Sequence, residues 1–262
     1  MNLSKNTRRA IPPALVAAAS VIALGLAQHS AAEQSIASPR ANSDGPVILS
    51  AMEYYPSSSL ADWAAGAEYL VSAFVTSEAT QNVPPLDGEG DSQLIGRDIT
   101  IDTAEVLWRA DDSTHPAPST FTMPVTGWVD QSGKLVEAAP DNGPRLEVGH
   151  EYVLALTWYD AQCGEDGNSP AGWGAVGSEG AVPADGGVVG EGEFEGVAVD
   201  PEAAVAAVTV ASQEASGVAP QVVAEFSGDT PAAIAQKIDD VTPTVLNENA
   251  EKMESEASCS AD

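Results

Sequence analysis

The sequence predicts a mainly β fold, a small barrel or sandwich of five to six strands with a helical C-terminal extension. Short apolar or alternating segments recur between residues 68 and 189, and turn-forming residues separate them. Strands of this length and spacing are typical of a small barrel or sandwich. After Asp200 the segments become rich in Ala and Val and carry helix start signals, which predicts the extension.

The amino-acid composition excludes two classes of partner. The chain has 262 residues, with 39 Asp and Glu against 10 Lys and Arg, and a formal net charge of −29. So acidic a chain repels phosphate groups, and we therefore expect neither a nucleic acid nor an anionic membrane surface as a partner. Hydrophobic residues make up 44% of the chain, which is enough to build a core.

Residues 1–32 have the three parts of a secretory signal peptide. A basic start is followed by an apolar run from Ala14 to Ala27 and by Ser30-Ala31-Ala32. The alternative is a membrane anchor, but the run is shorter than the ~20 residues that a bilayer span needs. Arg8-Arg9 leaves the export route, general or twin-arginine, open. These 32 residues hold three basic and no acidic side chains, so cleavage leaves a secreted, extracellular chain with a net charge of −32 and no membrane contact.

The β domain is predicted over residues 47–199, after a flexible leader at 33–46 that is rich in Ser, Ala and Asn. Its first helix signal is a capping box from Ser59 to Asp62, with Gly66 as a stop. The mostly apolar run at 68–76 then predicts a central strand.

The second strand is predicted at 97–108, where Ile99 and Ile101 share one face. The apolar residues of the opposite parity are Ala104, Val106 and Trp108. A bulge near Asp102 would change the phase of the side chains and bring both sets to one core.

The remaining strand signals are alternating patterns. They predict a strand at 120–129, a hairpin turn at 131–134 and the strongest strand at 152–159. The segment Ala184-Asp185-Gly186-Gly187 before Val188-Val189 predicts a further hairpin.

The helical extension is predicted over residues 200–243. Asp200-Pro201 and Thr230-Pro231 each combine an N-cap residue with a first-turn proline. Residues 244–262 are polar and acidic, which predicts a mobile tail.

Two segments resemble a pattern that recurs in exported bacterial proteins. The first runs from Gly96 to Trp108 and ends in Val-Leu-Trp, and the second runs from Arg145 to Leu154. The composition is similar to that of secreted proteins of high-GC Gram-positive bacteria. The resemblance covers roughly residues 60–189 and implies a small OB-like barrel. The plan is also similar to the netrin-like barrel of metalloprotease inhibitors, but their paired N-terminal cysteines are absent. Inhibition is therefore only a third alternative for function.

Cys163 and Cys259 are the two cysteines of the chain. In an exported protein an even pair predicts one disulfide bond, which would join the acidic tail to the segment after the strand at 152–159. Two free thiols or an intermolecular pair are the alternatives.

Asp87, Glu89 and Asp91 alternate in a loop, which is the start of a calcium-loop spacing. Ser92 stands where the helix–loop–helix motif needs Gly, so the sequence favours a solvated loop over a weak calcium site. We predict no other cofactor, since the sequence carries no phosphate loop, dinucleotide fingerprint or zinc spacing.

No catalytic residue is predicted. After cleavage the chain keeps His115, in a loop rich in Asp, Ser and Pro, and His150, in a turn where an exposed structural role is expected. Val176 replaces the first glycine that a nucleophile elbow needs. A carboxylate pair brought together by folding would make the chain an extracellular hydrolase, which is the alternative function.

The five tryptophans suggest a binding surface. Trp128 is the strongest surface candidate because it shares a strand face with threonines, and Trp108 and Trp158 are candidates beside it. The alternative for aromatic residues in strands is a place in the core. We expect a monomeric, exported, non-enzymatic binding or structural protein whose partner is an extracellular polymer or protein, such as a cell-wall glycan or a peptide.

Overall fold

The computed structural model describes residues 40–41, 45–50, 56–81, 93–131, 133–164, 167–212 and 221–245. The strands are β1 (Arg40–Ala41), β2 (Val47–Leu49), β3 (Tyr69–Thr80), β4 (Gln93–Arg109), β5 (Thr120–Gln131), β6 (Lys134–Pro140), β7 (Glu151–Tyr159), β8 (Gln162–Gly164), β9 (Gly167–Ser169), β10 (Gly172–Ala175), β11 (Ala181–Pro183), β12 (Gly192–Phe194) and β13 (Val197–Val199). The helices are α1 (Leu60–Gly66), α2 (Pro201–Ser212), α3 (Val222–Phe226) and α4 (Pro231–Ile238).

The fold is mainly β, as predicted, and it is built on one nine-stranded sheet. The strand order is β1-β2-β6-β5-β4-β3-β7-β10, and β11 also pairs with β7. All neighbours are antiparallel except β2 and β6. The sheet curls, so that β10 lies next to β5. The strands outnumber the predicted five to six.

The two faces of the sheet bury different apolar sets. The inner face is packed with alternate residues of neighbouring strands, among them Val71, Ile99, Ile101, Phe121 and Leu154. The outer face of β3 and β7 is covered by α1, α3 and α4, and its buried cluster includes Trp63, Leu70, Val153, Phe226 and Ile234. The predicted helical extension therefore shares a core with the sheet.

The predicted helix starts are confirmed. The Ser59 hydroxyl accepts a hydrogen bond from the Asp62 N–H, and the Asp62 carboxylate accepts one from the Ser59 N–H, which completes the capping box. Asp200 accepts a hydrogen bond from the Ala203 N–H at the start of α2. Pro231 lies in the first turn of α4.

The prediction that the apolar residues of both parities of β4 lie in one core is wrong. The bulge predicted near Asp102 is present, because the register of β3 and β4 leaves Ala104 without a direct partner, and a second bulge lies at Leu107. Ile99 and Ile101 point to the inner cluster, whereas Trp108 packs against the outer one. Ala104 and Val106 are exposed.

The predicted hairpin at 184–189 is also wrong, because residues 185–187 form a 3-10 turn and no strand follows directly. The hairpin in this part of the chain lies at β12 and β13. The turn at 131–134 is confirmed, since Gln131 and Lys134 are paired at the ends of β5 and β6.

Candidate functional site

An aromatic cluster lies where the end of β7 meets β10 and the start of β3. Trp158 and Trp173 are direct partners in the antiparallel register of β7 and β10, and their ring centroids are 5.5 Å apart at 79°. Tyr69 lies edge-on to Trp173, with centroids 5.6 Å apart. We call these three residues and His115 the aromatic corner.

His115 comes from the loop at 110–119 and stacks on Trp158, with ring centroids 4.6 Å apart at 20°. Glu68 Oε1 lies 3.2 Å from His115 Nδ1, and Glu68 Oε2 accepts hydrogen bonds from the backbone N–H groups of Thr114 and His115. The Tyr69 hydroxyl donates to the His115 carbonyl, at 2.6 Å. Both the side chain and the backbone of His115 are therefore held in place.

The aromatic corner has a buried floor and a partly exposed surface. Tyr69 and Trp173 are buried, Trp158 is half-buried, and 35% of the His115 side chain is exposed. The exposed Arg109 lies at the rim, with its guanidinium 5.8 Å from the Tyr69 ring centroid. A flat apolar surface beside polar groups can stack against an apolar ligand face and donate hydrogen bonds at its edge.

A second polar feature is internal, and it begins with Arg97, whose side chain is 0% exposed. Its Nη1 donates to Glu78 Oε2 at 2.6 Å, its Nε donates to the Thr126 carbonyl at 3.0 Å, and its Nη2 donates to the Arg145 carbonyl. Every nitrogen of this guanidinium has an acceptor, so Arg97 has a structural role.

Arg145 is buried beside it and uses its donors in the same way. Nε donates to the Ala138 carbonyl and Nη2 to the Gly127 carbonyl, both at 3.0 Å, and Nη1 donates to Glu147. The guanidinium also lies 5.4 Å from the ring centroid of Trp128, within the range of a cation–π contact.

Glu193 of β12 is the third buried charged group, and it closes this network. Its Oε1 accepts from the N–H groups of Arg145 and Gly196, at 2.8 and 2.5 Å. Its Oε2 accepts from the Leu146 N–H and the Tyr152 hydroxyl, both at 3.0 Å. Burial raises the pKa of Glu193, and these hydrogen bonds oppose the shift by stabilising the carboxylate. Burial and the charge of Glu193 also raise the pKa of Tyr152.

His150 and Asp185 form a separate pair before β7. Nδ1 of His150 lies 2.6 Å from Oδ2 of Asp185, and Oδ1 of Asp185 accepts from the Glu151 N–H. About a third of each side chain is exposed, 34% and 31% respectively. The pair links the 3-10 turn to the first residue of β7, which fits the structural role expected for His150.

The three predicted binding tryptophans lie in three different environments. Trp158 belongs to the aromatic corner, Trp128 packs on the buried Arg145, and Trp108 donates its indole N–H to Asp239 at 2.7 Å. Trp108 and Trp158 pack on opposite faces of the sheet. Of these three side chains, the structure therefore brings only Trp158 to the candidate site.

The other predicted site residues lie largely outside the described part of the chain. This is true of Asp87, Glu89 and Asp91, the weak calcium candidates, and of Cys259. Cys163 lies exposed in β8, and its disulfide bond with Cys259 stays a prediction. Within the described residues, no three His, Cys, Asp or Glu side chains are grouped as metal ligands.

Sequence reasoning missed Glu68, His115 and the buried arginines. A signal for Arg97 was present, since it has the same parity as Ile99 and Ile101 and therefore shares their inward face. No local pattern identified His115, because its position depends on Glu68, which is 47 residues away in the chain.

No protein-family model, curated protein or solved structure matches this chain. Among the described residues, no helix has the length and apolar character that a membrane crossing requires.

Proposed function

We propose that the protein is an exported, non-enzymatic binding protein that takes an extracellular glycan at the aromatic corner. The observation that carries the proposal is the stacked pair of His115 and Trp158, partly exposed and held by Glu68. A fixed aromatic surface loses little conformational freedom when a ligand binds, which favours binding.

The polar groups around the stacked pair favour a sugar over a wholly apolar ligand. Arg109 is exposed beside the corner, and its Nε and Nη2 are bonded to Ser113. A pyranose ring offers an apolar face for stacking and hydroxyl groups for hydrogen bonds at the edge of the aromatic surface. A peptide with an aromatic side chain is the other ligand that this chemistry accommodates.

The OB-like barrel belongs to the same proposal. The sheet curls around its inner cluster, and the aromatic corner lies at strand ends. Ligand sites are frequent at the mouths of β barrels. We propose a monomer as the binding unit, because all four side chains of the corner come from one chain.

Tryptophan fluorescence tests this proposal with soluble cell-wall polysaccharides as probes. We expect saturable quenching, and we expect His115→Ala to weaken binding about three- to tenfold, the equivalent of one stacking contact. His150→Ala is the matched control, because it also removes a half-exposed imidazole paired with a carboxylate. Its Kd should stay within about twofold of the wild type.

Two results would overturn the proposal. One is a flat titration across several polysaccharides with a protein whose circular dichroism shows a folded β structure. The other is equal weakening by His115→Ala and His150→Ala, which would mean that binding does not depend on the aromatic corner.

A further inference from the structure

Among the described residues, the second half of β4 has a strand partner on one side only. β3 lies along one side of β4 as far as Arg109, but β5 pairs with the other side only from Gln93 to Asp102. The last bond on that side runs from the Thr103 N–H to the Ser119 carbonyl, at 2.9 Å. No strand of the described chain pairs with residues 104–109 there, so about 20 Å of edge stays open.

The open edge is exposed on both faces at its start. Ala104, Glu105 and Val106 are all exposed, and Val106 keeps 45% of its surface. A strand with one covered face normally buries every second residue. Three consecutive exposed residues therefore show that neither face is covered at residues 104–106 by the described part of the chain.

The charge around the open edge is acidic. The exposed acidic side chains on β4 and in the turn after it are Asp102, Glu105, Asp111 and Asp112. Arg109 is the one basic residue of this stretch, and Ser113 accepts hydrogen bonds from its guanidinium. Opposite charges on facing side chains stabilise a strand pair, and like charges destabilise it. A partner with Lys or Arg is therefore favoured.

We propose that residues 104–109 bind a short extended segment of a partner protein, with Lys or Arg at alternate positions, by β-strand addition. The backbone of the segment would pair with the open edge, and a basic side chain would face Glu105. The bulges at Ala104 and Leu107 limit regular pairing to a few residues. A second copy of this chain is disfavoured, because it would bring a second net charge of −29 to the edge.

The experiment uses the full chain and two capped hexapeptides, one alternating Lys with Val and one alternating Glu with Val. With the Lys peptide we expect slower amide hydrogen exchange confined to residues 104–109, and a calorimetric Kd that Glu105→Arg raises at least fivefold. Glu202→Arg makes the same charge change at an exposed position of α2 and should raise the Kd less than twofold.

Four outcomes would overturn this proposal. Equal weakening by Glu105→Arg and Glu202→Arg would show attraction by net charge alone. Equal binding of the Glu peptide would show that basic side chains are not required. Slower amide exchange at residues other than 104–109 would show that the peptide binds elsewhere. Self-association that Glu105→Arg abolishes would identify a second copy as the occupant. These four outcomes concern only strand addition at residues 104–109. Glycan binding at the aromatic corner is tested by the polysaccharide titrations and can fail or succeed independently.

Discussion

Replacement of Tyr152 by Phe should lower the free energy of unfolding by about 2–4 kcal/mol, although it removes a single oxygen atom. Tyr152 is 0% exposed, and its hydroxyl donates to Glu193 Oε2 at 3.0 Å and accepts from the Glu147 N–H at 2.8 Å. Both partners lose a bond in the variant. The Glu193 carboxylate is buried, whereas the Glu147 N–H is part-buried, so water can replace only the second bond in part.

The magnitude follows from the two bonds separately. The hydrogen bond to the charged Glu193 contributes about 1.5–3 kcal/mol, and the neutral bond from the part-buried Glu147 N–H contributes about 0.5–1.5 kcal/mol. In the variant the Glu193 carboxylate still accepts hydrogen bonds from three backbone N–H groups, so its charge remains stabilised. The two contributions together therefore amount to about 2–4 kcal/mol.

Urea unfolding followed by tryptophan fluorescence measures this difference. Tyr159→Phe is the matched control, because its hydroxyl donates to the Ala175 carbonyl at 2.8 Å from a half-buried position. Water can replace a neutral bond there, so the control should lose at most about 1 kcal/mol. The reasoning is refuted if the two variants differ by less than about 0.5 kcal/mol with equal slopes m.

The sign of the pH dependence gives a second check on the same variant. The bond from Tyr152 lowers the pKa of Glu193 relative to the value that burial alone would give. The stability that it contributes is therefore present while Glu193 is ionised, and it is lost as the pH falls through the pKa of Glu193 in the folded state. The deficit of Tyr152→Phe should shrink in acid, and a deficit that grows there would contradict this assignment.

Two further predictions concern the backbone and the cysteines. Gly127 is the unpaired residue of a bulge between β4 and β5, and its replacement by Ala should destabilise the fold by about 1–3 kcal/mol, because the new Cβ would lie 2.5 Å from the Ile95 carbonyl oxygen. Gly172→Ala is the control: its Cβ meets no atom within 4 Å, so it should cost less than about 1 kcal/mol. Equal melting temperatures of the two variants would contradict this prediction. Thiol titration of the denatured, unreduced protein should find no thiol if Cys163 and Cys259 are joined, and reduction should lower the free energy of unfolding by about 3–5 kcal/mol; two titrated thiols would disprove the bond.

The sequence was most informative where one local pattern decides the structure. The pattern from Tyr152 to Tyr159 predicted β7, and the structure buries both faces of this strand from Tyr152 to Leu156. The capping box at Ser59 and the Asp200-Pro201 signal predicted two helix starts, because both use side chains within one turn. Such features do not depend on the rest of the chain.

Prediction failed where distant segments decide the outcome. The change of parity after Ile101 predicted the bulge at Ala104, but the second bulge, at Leu107, is defined by the register with β3 and has no local signal. His115 belongs to the site through contacts with Glu68, which precedes β3, and with Trp158 of β7. The tryptophans could be assigned to strands from the sequence, but not to a common surface, because that depends on how the sheet curls.

The bulge at Gly127 and the two buried arginines form one structural device. β4 and β5 change register between Ile95 and Gly96, and at this point the Thr126 and Gly127 carbonyls accept hydrogen bonds from Arg97 and Arg145 respectively. A planar guanidinium holds its donors in a fixed geometry and can bind two carbonyls and a carboxylate at once. A lysine ammonium is a point charge on a flexible stem and would fix these acceptors less well. The same arrangement places Arg145 on one face of Trp128, so the tryptophan that looked most suited to the surface helps to cover a buried charge.

The burial of these two arginines also affects the charge of the protein surface. Arg97 and Arg145 are two of the ten basic residues of the chain, and both are enclosed among carbonyl and carboxylate acceptors. Their charges are compensated locally by Glu78 and Glu147, so neither guanidinium is available to offset acidic side chains on the surface. These two arginines therefore do not neutralise the exposed acids near β4, which favours the cationic partner proposed for residues 104–109.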